Sequence, residues 1–336
     1  MTLARDVRNS LSIPAFCAPM FLCSSVDLAV ECCKGGIIGS FPAGNCRDIE
    51  EFEEQLRRVH GALARFAGEQ PQCKIGPLAV NVSPTKNQAD FRAYLEICQR
   101  YRTRIVVTSV GDPTHNAPIV RDLDMLHFHD VTNIRFAEKA ARAGVDGMIA
   151  IGAGGGGHAG TISHLAFIPK IRAMFDGTVV MAGAITTGAA IRAAEILGAD
   201  LAYLGTRFIA TRESVAPDAY KAMLVEGSVE DVVYTRGVNG LPASWLKASL
   251  RSVGLDPDNL FVPDGHSTKH LPEGKTPWRD IWSSGQGVGL IDEILTTAQL
   301  IRQLRLEYIA ACDIPNMAAG ASENIVRNSR EYSLTK

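Results

Sequence analysis

Short apolar runs alternate with amphipathic stretches along about the first 210 residues of the chain. Most of these runs are rich in β-branched residues, which is typical of strands buried on both faces of a parallel sheet. The eight predicted strands are IPAFCAPM (13–20), GIIGS (36–40), PLAVNV (77–82), RIVVTSV (104–110), MLHFHDV (125–131), DGMIAI (146–151), TVVMAG (178–183) and DLAYLG (200–205).

Amphipathic helices fit between the strands. Residues 48–61 begin at Asp48, a plausible N-cap, and carry charged residues on one face. Residues 132–143 and 187–197 are rich in alanine and end near a glycine, a common helix stop. Eight strands separated by helices predict a (β/α)8 TIM barrel.

A doubly wound open sheet is the alternative fold. A dinucleotide-binding domain of this type typically has a G-x-G-x-x-G turn after its first strand, whereas the first strand here ends in Ala18-Pro19-Met20. Residues 213–280 contain six prolines and short helical pieces such as 217–226 and 243–251. The sequence therefore predicts a barrel, a small helical elaboration near the C-terminus, and a return to the barrel. The predicted parts are the barrel (1–212), a small helical subdomain on the substrate side (213–280), and a return segment, barrel helix and tail (281–336).

Composition says more about the possible binding partners of the protein than about its fold. The 336 residues carry a net charge of −2 with no basic block, so nucleic acid and anionic membranes are poor partners. The N-terminus lacks the apolar run of a signal peptide, which leads us to expect a cytoplasmic protein. The eight cysteines form no C-x-x-C pair, and no metal site is predicted. The polar tail (313–336) leaves packing against a second subunit, and so a homodimer, open.

The strongest chemical signal is the loop GAGGGGHAG, residues 152–160, directly after the sixth strand. A loop with so many glycines loses more conformational entropy on folding, but its backbone can lie against a flat ligand. His158 is the one polar side chain among these glycines, near the barrel end that carries catalytic groups. The alternative is a flexible loop with an incidental histidine.

Two consecutive strand ends predict a phosphate site. Loops after the seventh and eighth strands form the usual phosphate site of these barrels, and a helix N-terminus favours an anion. The turns would offer backbone N–H groups, although each alone could be an ordinary glycine turn. The residues concerned are Ala182, Gly183, Ala184, Gly205 and Thr206, with Thr186, Thr187 and Gly188 at the following helix start.

Other strand ends add small or amide-bearing groups at the same mouth, namely Pro19 and Met20 after the first strand and Asn81 after the third. His127 and His129 alternate on the fifth strand and therefore share a face. With Asp130 they could line the mouth, but a role as satisfied core histidines is equally compatible with the sequence.

At these residues the chain resembles the nitronate monooxygenases, once called 2-nitropropane dioxygenases. Their wider group includes FMN-dependent enoyl reductases and NADH:quinone reductases. The likeness covers roughly residues 13–310. It rests on GGGGHAG, AGAITTG, GADLAYLGTRFIATRES, the APM start and IWSSGQG (281–287).

The resemblance implies an FMN site and assigns roles by motif. Pro19, Met20 and Asn81 would contact the flavin ring, with Gly156 and Gly157 near it. His158 falls on the family's catalytic histidine. The phosphate would be held by Ala182, Gly183, Ala184, Gly205 and Thr206. The chain departs from the family's Gly-Gly-Met at its APM start, and from a lysine that some members carry where it has Asp130.

The implied reaction is the FMN-dependent oxidation of alkyl nitronates or nitroalkanes by O2 to carbonyl compounds and nitrite. His158 would take the α-proton of a neutral nitroalkane or orient the nitronate anion. The alternative is an FMN-dependent reductase that uses NAD(P)H as co-substrate to reduce a quinone or an activated C=C bond. A third reading is a barrel that binds a phosphate ligand without catalysis.

Overall fold

The computed structural model describes residues 3–84 and 86–314. Eight parallel strands form one sheet, in which the first strand pairs with the eighth. The strands are Ala15–Cys17, Gly39–Pro42, Leu78–Asn81, Ile105–Thr108, Leu126–Val131, Gly147–Ile151, Thr178–Ala182 and Leu201–Leu204. They are called the first to eighth barrel strands below.

The sheet closes on itself between the first and second strands. Phe16 forms a parallel bridge with Ile38. The amide of Cys17 donates a hydrogen bond to the carbonyl of Ile38 over 2.9 Å. The amide of Ile38 donates to the carbonyl of Ala15 over 3.1 Å. The closed barrel confirms the predicted (β/α)8 fold and excludes the open sheet.

Helices cover the outside of the barrel. Asp48 caps its helix as predicted, since its side chain accepts from the amide of Glu51, and Gly144 ends another helix at a φ of +77°. The α-helices are Arg5–Ser10, Val26–Lys34, Ile49–Glu69, Gln88–Arg100, Ala117–Asp122, Ile134–Ala143, His164–Met174, Gly188–Ile196, Thr206–Ile209, Asp218–Glu226, Lys247–Ser252 and Thr297–Cys312. Short 3-10 turns occupy Ala43–Asn45, Pro113–His115, Val229–Asp231 and Gln286–Leu290.

The two ends of the barrel differ. The N-terminal helix Arg5–Ser10 places Val7 in the same buried cluster as the inward-facing Ile105 and Phe128, so it closes the end where the strands begin. Phe16 packs edge-on against Tyr203 in the interior, with ring centroids 4.8 Å apart. The strands' carboxyl ends are left for a binding site.

The segment between the barrel and the last helix is mixed rather than purely helical. Strands Val232–Thr235 and Ala243–Leu246 pair antiparallel, and the second also pairs with Gly157–His158 of the glycine-rich loop. The predicted helical piece 243–251 therefore begins as a strand, because its N-terminal half packs the fully buried Trp245 into a separate small core. The proposed boundaries at 212 and 280 remain a prediction.

Most of the polar tail, residues 315–336, lies outside the described part of the chain. Among the residues that the structure describes, no helix combines the length and apolarity needed to cross a bilayer. Within the same residues, no group of three or more His, Cys, Asp or Glu side chains is placed to hold a metal ion.

Candidate functional site

A cavity of about 550 Å³ occupies the barrel mouth at the strands' carboxyl ends. Its walls are mostly apolar, with a few polar groups, which is the usual character of a cofactor or substrate site. The structure brings eleven of the sequence-predicted site residues to this cavity, whereas Thr187 and Gly188 of the predicted phosphate site are not among its lining residues. The eleven are Pro19, Met20, Asn81, Gly156, Gly157, His158, Ala182, Gly183, Ala184, Gly205 and Thr206.

The loop after the first strand is held by side chains from its own turn and from the next unit. The amide of Met20 donates to Ser24 Oγ over 2.8 Å, and the amide of Leu22 donates to Asn45 Oδ1 over 2.9 Å. Leu22 has a φ of +60°, which a non-glycine residue adopts only at a cost. These bonds fix the backbone beside Pro19 at the cavity wall.

Asn81, at the end of the third strand, is oriented by the fourth. Its Nδ2 donates to the carbonyl of Val107 over 3.2 Å and to Ser109 Oγ over 3.3 Å. Both amide protons are thus engaged with the wall, which leaves Oδ1 as the side chain's acceptor at the cavity.

Three backbone segments meet at the glycine-rich loop. The carbonyl of Gly154 accepts from the amide of Ala184 over 3.2 Å and from that of Gln286 over 2.9 Å. A Cβ on Gly156 would lie 2.9 Å from the nitrogen of Gly285, and one on Gly183 would lie 3.0 Å from that of Gly155. No side chain larger than hydrogen fits at these two positions, because neighbouring backbone already lies where the Cβ would be. We call these glycines at 155, 156, 183 and 285 the glycine cradle.

The sequence predicts that the helix after the cradle helps to hold an anion. The helix Gly188–Ile196 has its first amide engaged by Glu307, whose Oε2 accepts from Gly188 over 2.7 Å. Thr187 Oγ1 caps the same helix by accepting from Ala190. A carboxylate therefore already accepts from the first amide of this helix, and the expected contribution of the helix dipole to a phosphate stays a prediction.

His158 lies on the two-residue strand Gly157–His158, within the glycine-rich loop that follows the sixth barrel strand. Its partner across the small sheet is Ala243. The imidazole lies 5.3 Å from the ring of Trp278, and its Nε2 is buried without a hydrogen-bond partner among the described residues. Burial, helped by nearby His266, lowers the pKa of His158, so the ring is neutral at neutral pH.

The other histidines near the barrel are structural. His127 Nε2 and His129 Nδ1 both lie 2.7 Å from Thr108 Oγ1 in the buried wall. Burial lowers their pKa values to about 3 and about 4. His164 Nε2 lies 2.8 Å from the carbonyl of Ala182 and packs beneath Gly152, so it seats the glycine-rich loop on the seventh strand.

Asp130 takes the opposite face of the fifth strand and lines the cavity. Its Oδ1 is buried and has no hydrogen-bond partner within the described residues. Burial raises the pKa of Asp130 to about 7. The carboxyl also helps burial to raise the pKa of Tyr203, on the eighth strand, well above its usual range.

We expect Asp130→Asn to stabilise the cofactor-free protein more near pH 8 than near pH 5. Because the folded state raises this pKa from 3.8 to about 7, it binds the proton more tightly than the unfolded chain does. This tighter proton binding stabilises the wild type fully below about pH 4, and the stabilisation is lost as the pH rises towards about 7. At roughly 1.4 kcal/mol per pKa unit, the gain should differ by on the order of 2 kcal/mol between the two pH values. Urea unfolding would measure it; an equal gain at both pH values would contradict a raised Asp130 pKa.

The sequence did not single out several cavity residues. Gly285 donates to Thr206 Oγ1 over 2.9 Å, and the carbonyl of Gly287 accepts from Thr186 Oγ1 over 3.1 Å, so the return segment completes the cradle. Trp278 stands beside His158. The glycines of the IWSSGQG motif could have pointed to Gly285 and Gly287. Trp278 is a lone tryptophan in a proline-rich segment, and no sequence pattern marked it as a site residue.

A sequence model of nitronate monooxygenase matches residues 42–307, well over half of the chain. The chain belongs to the nitronate monooxygenase family. This family match spans the cradle, His158 and Asp130, and begins after Pro19 and Met20.

Relatives in the family are distant in sequence. A nitronate monooxygenase of Neurospora crassa is 25% identical over 334 residues, covering 86% of this chain and 87% of that protein. A 5-hydroxy-7a-methyl-1-oxo-octahydro-1H-indene-4-carboxyl-CoA dehydrogenase of Mycobacterium tuberculosis is 28% identical over 177 residues, covering 52% of this chain and 49% of that protein. For this and a Rhodococcus jostii relative, the chain spans about half of the curated protein's length.

Solved structures show the same fold. The nitroalkane oxidase of Streptomyces ansochromogenes superposes with a TM-score of 0.72 at 24% identity, over 90% of this chain and 98% of that one. FabK from Thermotoga maritima superposes with a TM-score of 0.70 at 23% identity, over 93% and 98%. Both are barrels of the architecture seen here.

Proposed function

We propose that this protein is an FMN-dependent oxidoreductase that oxidises alkyl nitronates or nitroalkanes with O2 to carbonyl compounds and nitrite. The observation that carries the proposal is the position of His158. Its neutral ring, with an unpartnered Nε2, lines the same cavity as the glycine cradle. Membership of the nitronate monooxygenase family supports this choice of reaction.

The residues present fit FMN. At Gly156 and Gly183 a Cβ would clash with neighbouring backbone, so only glycine lets these turns pack this closely beside the cavity. Their backbone would approach the phosphate closely. The adjoining Ala182, Ala184, Gly205 and Thr206 would complete the phosphate site. Pro19, Met20, Asn81 and Gly157 would hold the flavin ring. When bound, FMN supplies the electron-transfer and O2 chemistry.

His158 would act on the substrate. A neutral imidazole can remove the α-proton of a nitroalkane at neutral pH, and its depressed pKa keeps it in the basic form. Trp278, packed against His158 and 4.4 Å from Trp245 between ring centroids, holds the imidazole in place and excludes water from that side.

The purified protein should release FMN, and not FAD, on denaturation, because the turns after the seventh and eighth strands would form a site for a single phosphate. Chromatography of the released flavin measures this. Finding FAD, or no flavin after reconstitution with FMN, would overturn the phosphate assignment and leave only a barrel that binds another ligand.

Anaerobic mixing of the FMN-loaded protein with NADH, NADPH and a nitronate in turn tests the reaction. We expect the nitronate to bleach the flavin absorbance. Bleaching by NAD(P)H alone, followed by rapid reoxidation with a quinone, would instead support the reductase.

A further inference from the structure

One carboxyl group in the cavity has no part in the reaction proposed above. Asp130 stands opposite Ile149 in the strand register, near the carboxyl end of the fifth barrel strand. It lines the cavity together with Asn81 and Tyr203, and its Oδ1 is buried without a hydrogen-bond partner in the described chain. Buried polar atoms are normally paired, so an unpaired carboxyl oxygen of a residue that lines a binding cavity points to a missing partner.

Within the described residues, the two barrel strands that flank Asp130 supply no compensating charge. The neighbouring strands present Val107 and Ser109 on one side and Ile151 on the other. No basic side chain in residues 3–84 and 86–314 forms an ion pair with Asp130.

The titratable groups that line the same cavity are few. Burial raises the pKa values of Cys23, Tyr203 and Tyr220, and lowers that of His158. Lys86, which also lines the cavity, stacks over the Tyr94 ring at 4.5 Å. Burial raises the pKa of Asp130 itself to about 7. Of the acidic groups here, only Asp130 is therefore poised to change its charge near neutral pH.

We infer that Asp130 is a proton-uptake group of the cofactor site, which gains one proton when two electrons enter the bound flavin. This inference rests on the proposed function, in which the cavity holds FMN. The added negative charge repels an ionised carboxylate in the same enclosed space and favours its neutral form. The Asp130 carboxylate takes a proton from solvent to form an O–H bond, and no other covalent bond at this residue changes.

Potentiometric titration of the FMN-loaded protein between about pH 6 and pH 9 tests the inference. Dithionite serves as reductant, and the flavin absorbance reports the oxidation state. The proteins compared are wild type, Asp130→Asn and the matched variant Tyr203→Phe, which removes the other titratable group influenced by Asp130. Asp130→Ser replaces the asparagine variant if that one does not fold.

Above about pH 7, the wild type should take up about one more proton per two electrons than Asp130→Asn does. Tyr203→Phe should behave like the wild type. Equal proton uptake by wild type and Asp130→Asn would overturn the inference while leaving the FMN enzyme intact. A loss of the extra proton in Tyr203→Phe alone would assign the uptake to the tyrosine instead. A protein that binds no flavin would remove the proposed function, and this inference with it.

Discussion

Replacing His158 with asparagine should lower kcat/KM for a neutral nitroalkane by roughly 10²- to 10⁴-fold, the usual effect of losing a general base. A preformed nitronate has already lost its α-proton, so its oxidation should fall much less, by about the effect of one hydrogen bond. Oxygen consumption and nitrite release measure both rates. FMN content should be unchanged, because His158 is expected to face the substrate.

The pH profile adds a second readout. Because burial lowers the pKa of His158, the wild-type rate on a neutral nitroalkane should rise with pH through an inflection below 6.5 and then level off. That inflection should disappear in His158→Asn. The matched control is His115→Asn, an exposed histidine that is not among the cavity residues, which should keep the wild-type profile. Equal losses on nitroalkane and nitronate would assign His158 to binding rather than proton removal.

Replacing Gly183 with valine should weaken FMN binding by about 10²- to 10⁴-fold. Gly183 has a φ of +115°, and a Cβ there would lie 3.0 Å from Gly155 N and 3.1 Å from His164 Nε2. A β-branched residue cannot adopt this backbone without strain, so the turn must move away from the glycine-rich loop. Losing two hydrogen bonds to a charged phosphate, at about 1.5–3 kcal/mol each, corresponds to this change in affinity.

Quenching of FMN fluorescence on binding would measure the dissociation constant. The matched control is Gly254→Val, which imposes a similar strain at a φ of +83° with no atom within 4 Å of the new Cβ. It should lose some stability and keep its affinity for FMN. Unchanged flavin affinity in Gly183→Val, in a folded protein, would show that this turn is only structural.

Local patterns in the sequence determined the barrel and much of the cavity. The eight apolar runs correspond to the eight barrel strands, because parallel strands buried on both faces need continuous apolar sequence. The glycines and small residues at the strand ends could be placed at one mouth, because parallel strands present their carboxyl ends together. The glycine-rich loop with His158, and Gly183 at the end of the seventh strand, were placed at the mouth on that basis.

Only the tertiary structure decided which face of the fifth strand is inside the barrel. Alternation shows that His127 and His129 share one face and that Asp130 has the other. Both faces of a barrel strand are buried, however, so hydrophobicity does not mark the inner one. Packing places the histidines on Thr108 in the wall and the carboxyl in the cavity.

Contacts between segments that lie far apart in the chain likewise could not be predicted from the sequence. Glu307, 119 residues further along the chain, accepts a hydrogen bond from the amide of Gly188, which the local sequence had offered to an anion. Ala243 pairs with His158 and gives the catalytic candidate a strand of its own. Gly285 bonds Thr206 and completes the cradle. Such pairings depend on the path of the whole chain, because local sequence periodicity does not specify which remote backbone groups meet.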